Sequence, residues 1–588
     1  MSASRSLATV TSVPAAHLRH GRHILQRHVS SKGRASPPAI GARGAGGVMG
    51  RRGGSGGSWG LAMLLAAVAW VFRHTLLRLL DHLAQRLVRW RLGGYRVRVN
   101  HVDTLRPLRT GDGPKVCVVG GGLAGVAAAI TLAERGLDVT LHEAAPQLGG
   151  KLASWTHTFD DGVTWPVEHG YHAFFPSYHN LDRLFARLGI SQRFATTPDY
   201  LILGRDGRSM SFAGLHRTPG LNLLHLAQMG LFDPKELVWD NPGVDRLNDL
   251  LNYHPIDTHE RLDHESYAEF ADAAGLPDRM RLIFRSFTRV FFAEPEQMST
   301  AELAKSFHSY FLSHDRGLLY RYPTDDHAEA IWAPLQARLE ELGVHLRLGS
   351  PVDGVTRQKN GRLRVGGRPY DHVVLATDLP GARRVLDGSA ELVDAEAPGL
   401  RDDVAAIQPR NRYAVLRIHL DRDLRPGLPG FVSTDRIRAL DSITSIHRNE
   451  RWAKAWVAEH GGSVLELHAY SVPAALQDEA AIRQALLDDM RHYLPELAEA
   501  RVVREVMHVK DDFTPFFVGM WQRRPGVASG VAGLSLAGDW VKLREPVWLM
   551  EAAVTSGLRA ANRVLADAGL REEPVYSVPE KGLLHGIR

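Results

Sequence analysis

The sequence predicts an α/β fold with a parallel, doubly wound sheet at its centre. Three observations predict it: the apolar run Val116-Cys117-Val118-Val119, a glycine turn that opens a helix, and a lone acid, Glu143, at the end of a second strand. The first run is short and apolar throughout, as suits a strand buried on both faces. Gly120, Gly122 and Gly125 then stand at G-x-G-x-x-G spacing, with Leu123 and Ala124 inside the turn, and residues 126–132 continue as a helix. The first glycine permits the tight turn, the second lets backbone approach a pyrophosphate, and the third lets helix and strand pack closely. Free N–H groups and the positive end of the helix dipole face the phosphates. Residues 138–141 form the second strand, which places the Glu143 carboxylate near the usual distance for accepting ribose hydrogen bonds. Strand, turn, helix, strand and acid agree on dinucleotide binding.

The residues just beyond Glu143 separate the dinucleotides. Leu148-Gly149-Gly150-Lys151-Leu152-Ala153-Ser154 continues directly from the second strand. Two glycines bring backbone close to a cofactor, and a cation there can face its pyrophosphate. The segment resembles the second glycine motif of the large FAD family that includes amine oxidases, protoporphyrinogen oxidase and carotenoid desaturases. Near the C-terminus, Leu536-Ala537-Gly538-Asp539-Trp540 and then Met550-Glu551-Ala552-Ala553 resemble the closing FAD motif of the same family. The resemblance implies FAD as cofactor and a Rossmann-like FAD-binding domain with an inserted α+β substrate-binding domain. Asp539 can accept from ribityl or ribose hydroxyls. The helix opening near Met550 would point its dipole at the flavin pyrimidine and stabilise negative charge there. By the same resemblance Val352 contacts the adenine through its backbone. Residues 370–377 resemble the strand beside the FAD phosphates, with a departure at Asp378-Leu379-Pro380.

Charge is unevenly spread. Eleven Lys or Arg precede Asp81, the first acid, which leaves 60 basic against 65 acidic residues beyond it. The basic balance therefore belongs to an N-terminal extension, which removes most of the case for nucleic-acid binding. Residues 1–58, rich in Gly, Ser, Ala, His and Arg, bury too little apolar surface to order and read as disordered. Residues 59–72 are an apolar run, short for a span that needs about 20 residues. Leu76, Leu79, Leu80, Leu83 and Leu87 come next at helical spacing, with Arg78, Arg86 and Arg89 for a polar face. The extension thus reads as mainly helical and basic, with a membrane-surface anchor over 59–92. A core-packing or dimerising helix remains open. So does a targeting segment: Arg51-Arg52 resembles a twin-arginine signal, the acid-free start resembles a transit peptide, and an over-long start would look alike. The expected location is the cytoplasmic face of a membrane, with export or organellar targeting still open. The single cysteine, Cys117, reads as a buried apolar residue, and no Cys/His spacing suggests a metal site.

Between the cofactor ends lies Val167-Glu168-His169-Gly170-Tyr171-His172-Ala173-Phe174-Phe175, then Tyr178, Asn180 and Leu181. This order resembles carotenoid desaturases and the related carotenoid aromatic-ring (φ and χ) synthases, and the resemblance places it beside the flavin ring. Gly170 allows close approach, His172 is a candidate proton carrier or hydrogen-bond donor, and the phenylalanines supply apolar wall. A buried strand with a satisfied histidine is the competing reading. Over residues 262–356 the ring-synthase order continues through Tyr267, Phe270, Phe287, Phe291-Phe292, Tyr310-Phe311-Leu312 and Leu318-Leu319-Tyr320. Such residues could line a tunnel for an isoprenoid, though helical core packing explains any one of them.

The domain plan is a basic extension (1–58), an apolar and amphipathic helix (59–92), FAD-binding parts at 113–190, 336–390 and 526–570, substrate-domain parts at 191–335 and 391–525, and a tail (571–588). The expected reaction is hydride transfer to flavin from a carotenoid or related isoprenoid, by desaturation or by β-ring aromatisation with a methyl shift. His172 is the first candidate for a side-chain role and Glu168 the second, with Glu551 structural. The electron acceptor, oxygen or a quinone, stays open. Two other readings remain. One is an amine or protoporphyrinogen oxidase, for which Trp540 and Trp548 could form an aromatic cage. The other is a membrane-recruited flavin-binding scaffold without activity.

Overall fold

The computed structural model describes residues 97–588 except 112, 234, 240, 583, 587 and 588, together with 79, 80, 83, 86, 87 and 90. The disordered extension expected over 1–58 lies outside the described residues, as does most of the helix expected over 59–92. The six described positions of that segment are helical.

Strands β1 (Lys115–Val119), β2 (Asp138–His142), β3 (His345–Arg347), β4 (His372–Leu375) and β5 (Leu534–Leu536) form one wholly parallel sheet in the order β3-β2-β1-β4-β5. Three helices matter for the site: α1 (Leu123–Ala133), α2 (His179–Arg187) and α3 (Leu549–Asp567). The sheet is covered on both faces, which is why β1 carries no polar residue between its ends. Val116 and Val118 pack with Ile130 of α1 and Val554 and Ala561 of α3. Cys117 and Val119 point the other way, into a core shared with Leu363, Val365, Tyr370 and Leu379. Burial pushes the Cys117 thiol well above its ordinary pKa, so it behaves as the small apolar residue expected.

Helices α1 and α3 approach so closely that a Cβ on Gly557 would stand 2.2 Å from the Ala124 carbonyl oxygen. That contact ties the first and last cofactor segments of the chain into one unit.

The second sheet has seven strands, in the order Val502–Lys510, Tyr413–Leu420, Ser463–Ala469, Ser442–Ser445, Phe431–Thr434, Leu201–Leu203 and Ser209–Ser211. All its pairings are antiparallel except that of Phe431–Thr434 with Leu201–Leu203. It draws strands from both sides of β3 and β4, so the substrate region is an insertion assembled from two stretches of chain. Between the sheets runs the hairpin Ser154–Thr158 and Thr164–Glu168, which delivers the 169–175 segment to the interface.

Candidate active site

A cavity of about 670 Å³ opens at the carboxyl ends of β1 and β4, where the strand order reverses and such sheets receive ligands. Gly120, Gly122, Leu123, Ala124, Glu143, Gly149, Gly150, Lys151, Val352, Gly538, Asp539 and Met550 all line it. The sequence spreads these residues over more than 400 positions, and the fold brings them to one wall.

Each glycine of the turn has a separate steric reason. Gly120 has φ 111°, and a Cβ there would sit 2.5 Å from the Ala376 carbonyl oxygen. Gly125 does not line the cavity; its Cβ would fall 1.9 Å from the Gly120 oxygen, so it serves helix–strand packing. A Cβ on Gly122 would meet no protein atom within 4 Å, which leaves that space for a ligand. Glu143 is fixed by two backbone donors, Gly121 N at 2.6 Å and Ala145 N at 2.8 Å. Lys151 Nζ stands 2.9 Å from Asp539 Oδ2, across 388 residues of sequence. Burial works against the Lys151 charge, but Asp539, with Asp378 and Asp512 beyond it, raises the pKa above its ordinary value.

Glu551 and Ala552 are not part of the cavity lining, which corrects their expected place at the cofactor. Glu551 instead accepts from Asn180 N at 2.8 Å and Leu181 N at 3.0 Å, in the first turn of α2, and from Asn180 Nδ2 at 2.9 Å. Burial pushes its pKa up to about 8.

Glu168 is likewise absent from the lining. One oxygen accepts from His327 N at 2.9 Å, and the other lies 3.2 Å from Arg417. Arg417 also holds Glu466 at 2.6 Å. Burial raises Glu168 to about 7, against the pull of Arg417. The expectation of Glu168 as second candidate for a catalytic side chain is therefore corrected: it belongs to a buried ion cluster. That cluster fixes the histidine loop, because Glu466 accepts from Tyr171 N at 2.7 Å and pairs with His468 Nε2 at 2.7 Å.

His172 does line the cavity. Its Nδ1 lies 2.7 Å from the Gly170 carbonyl oxygen, so Nδ1 donates and Nε2 keeps its lone pair. Burial, with His327 and His169 nearby, lowers its pKa to about 3. The ring is a neutral hydrogen-bonding group.

A further constellation has no signal in the sequence. His169 Nε2 lies 2.6 Å from the Tyr413 hydroxyl oxygen and 3.1 Å from Asp512 Oδ2, and the Tyr413 hydroxyl donates to Asp512 Oδ1 at 2.8 Å. All three residues line the cavity. Tyr413 stands 244 residues from His169 and 99 from Asp512, so no local spacing announces them.

Away from the cradle the cavity is walled by Tyr200, Ile202, Phe212, Phe287, Tyr320 and Phe431. Tyr200 stacks on Phe212 with centroids 4.2 Å apart, and Tyr320 meets Phe431 edge-on at 6.0 Å. Trp540 and Trp548 are fully buried and do not line the cavity, so the expected amine cage is not formed by them. Trp548 instead stacks behind Tyr310 with centroids 5.4 Å apart.

A dinucleotide cradle with a second glycine segment, a Gly-Asp close and a helix N-terminus at Met550 defines an FAD-dependent oxidoreductase. The residues fit that cofactor: space is kept at Gly122, a cation stands ready at Lys151, and carboxylates are set for hydroxyl groups at Glu143 and Asp539. The chain belongs to the flavin containing amine oxidoreductase family, whose model matches residues 123–565. It is 38% identical to a carotenoid phi-ring synthase of Streptomyces griseus, over 80% of this chain and 92% of that protein. It is 28% identical to a carotenoid phi-ring synthase of Chlorobaculum tepidum, over 80% of this chain and 91% of that protein. Among solved structures, an oxidoreductase from Methanosarcina mazei matches 76% of this chain and 99% of its own, with TM-score 0.56 at 14% identity, which shows the shared fold.

Proposed function

We propose that this chain oxidises the end ring of a carotenoid, and that the product is an aromatic ring. One observation carries the reading: a single cavity joins the FAD cradle to an aromatic-walled chamber. A long apolar ligand needs apolar walls and few polar contacts. The ring synthases of Streptomyces griseus and Chlorobaculum tepidum support a ring as the reacting part.

When bound, FAD supplies an oxidised ring system that accepts a hydrogen together with its electron pair. The chain's own residues do the rest. Glu143, Lys151 and Asp539 fix the cofactor. The first turn of α3, which includes Met550, favours negative charge on it. The aromatic faces of Tyr200, Tyr320 and Phe431 exclude water, and they can steady positive charge on ring carbons while a methyl group migrates. His172, neutral and held by the Gly170 carbonyl, adds a fixed uncharged face to the cavity wall.

Expression in cells that make β-carotene tests the reading. The expected outcome is a pigment of lower mass with an aromatic end group. Unchanged pigment from cells holding FAD-loaded protein would overturn it.

We infer also that the enzyme works at a membrane surface. Leu79, Leu80, Leu83, Leu87 and Trp90 are helical and exposed, and their spacing puts them on one face. No helix among the described residues is long and apolar enough to cross a membrane. A surface anchor would give access to substrate dissolved in lipid and to a quinone as electron acceptor, with oxygen as the alternative. Leu83→Glu with Leu87→Glu is expected to abolish flotation with vesicles; undiminished flotation would contradict it.

A further inference from the structure

Each double bond formed in a ring requires two departures. One hydrogen leaves with its electron pair, to the oxidised flavin. A proton then leaves the neighbouring carbon, and its C–H pair becomes the new C=C bond. The flavin is the oxidant, later reoxidised by the external acceptor, but the proton needs a base inside an apolar chamber. A base that turns cationic there requires a counter-ion, since an unpaired buried charge is heavily penalised.

That requirement separates the cavity's four histidines. His142 faces the Ser350 hydroxyl at 3.0 Å and has arginines, Arg347 and Arg368, as its charged neighbours. His172 has histidines as its nearest titratable neighbours and its Nδ1 bonded to a carbonyl. His468 faces Glu466, but that carboxylate is already held by Arg417 through two nitrogens, at 2.9 and 2.6 Å. His169 faces Asp512, and no arginine holds that carboxylate among the described residues; burial, Lys510 and Lys151 oppose the imidazolium, which Asp512 favours. Asp512 is reached by the charge of Lys151, and with His169 and Tyr413 this holds it ionised far below the usual carboxylate range, against burial.

Position agrees with charge. On one side, Asp512 lines the same cavity as Lys151 and Asp539 of the cofactor cradle, and its charge is felt at Lys151. On the other, Tyr413 packs on Phe292 at 5.3 Å, and Phe292 stacks on Phe513 at 4.7 Å, forming apolar wall. The constellation sits where cofactor half and substrate half of the cavity meet.

We propose that His169 is the proton acceptor of the ring oxidation, with Asp512 as its counter-ion and Tyr413 as the residue that positions both. The assignment rests on the ring-oxidation reading above. Because Nε2 faces a carboxylate, it carries the resting proton, which leaves Nδ1 as the basic atom; the Tyr413 hydroxyl lies 3.3 Å from Nδ1 but gives its hydrogen to Asp512. The proton from the ring carbon arrives at Nδ1, and Asp512 balances the imidazolium until the proton returns to solvent between turnovers.

Two measurements test it. The first needs no substrate: NMR titration of the histidine ring nitrogens in the wild-type protein and in Asp512→Asn. His169 is expected to be the Nε2–H tautomer, and its pKa is expected to fall by at least about one unit when the counter-charge is removed. An Nδ1–H tautomer, or an unmoved pKa, overturns the proposal. The second follows anaerobic bleaching of bound FAD by β-carotene. His169→Gln is expected to retain flavin and slow bleaching by roughly 10²-fold or more. It should also erase the acid limb that the wild type shows as His169 becomes protonated in advance. A variant within about threefold of wild type with that limb intact, or a limb removed by His172→Gln instead, overturns the assignment. If wild-type FAD is not bleached by carotenoid at all, the ring-oxidation reading fails, whereas the titration still judges the His169–Asp512 pair alone.

Discussion

A methyl group added at position 125 and one added at position 122 would meet different fates. The first would stand 1.9 Å from the Gly120 oxygen, whereas the second would meet no protein atom within 4 Å. Gly125→Ala is therefore expected to lower folding stability and lose FAD together. Gly122→Ala should leave the apo-protein's melting temperature unchanged yet weaken FAD binding by roughly tenfold or more. Thermal melts of apo-protein and fluorescence titration with FAD check both, and equal behaviour of the two variants would count against these roles. These glycines were legible because their spacing is local and each has a single steric duty. The His169, Tyr413 and Asp512 constellation was not, because strand pairing in the second sheet sets Tyr413 beside the segment leading to Asp512, and a separate hairpin delivers His169 to both. Glu168 misled for a related reason. A carboxylate next to a candidate site reads as chemistry in sequence, and only the fold shows Arg417 closing over it.

At the scale of elements, α2 and α3 are joined through a carboxylate. The residue that opens α2, Tyr178, provides no side-chain cap, and Glu551 of α3 accepts the free N–H groups of Asn180 and Leu181 instead. Asn180 Nδ2 reaches on to Thr555 at 2.9 Å and to the Tyr576 carbonyl at 2.7 Å, tying the C-terminal strand to the same joint. Glu551→Ala leaves those N–H groups buried without acceptors and is expected to cost about 1–3 kcal/mol, read from urea denaturation at unchanged slope. Tyr178 lines the cavity, so the joint also holds a wall of the site. The sequence placed Glu551 within the right motif but not on the right partner, since a helix–helix contact has no local signal. Helix α3 further begins at Leu549 with φ 50°, and Phe292 has φ 59°; both line the cavity. Such backbone persists where surrounding packing enforces it.

Across the whole molecule, buried ionisable groups set how stability depends on pH. Burial lowers His172, His179 and His327 to about 3 and His308, His314 and His508 to about 4. The unfolded chain binds their protons more readily, so stability rises as pH climbs toward the ordinary histidine value of about 6.5. Burial raises Glu168 and Asp263 to about 7 and Glu551 to about 8. For these the folded state binds protons more readily, so their stabilising contribution is lost progressively from the ordinary carboxyl value of about 4 and is gone above about 7 to 8. Below about 6.5 the six histidines outweigh these three groups. The melting temperature is therefore expected to peak at about pH 6.5 and to fall on both sides. A profile still rising from pH of about 7 to 9 would contradict this.

The parallel sheet was legible from a short apolar strand, a glycine turn and a second strand, because both faces of that sheet are buried; its strand order β3-β2-β1-β4-β5 was not. The seven-stranded sheet was not, because its strands alternate less clearly and pair over long stretches of chain.

The central claim is that one cavity brings FAD and a carotenoid ring together. Anaerobic mixing of the FAD-loaded protein with β-carotene in detergent micelles, with flavin absorbance and pigment mass as readouts, tests it most directly. The flavin is expected to bleach and the pigment to lose two hydrogens for each flavin reduced. Flavin that stays oxidised with the carotenoid but bleaches with a simple amine would contradict it.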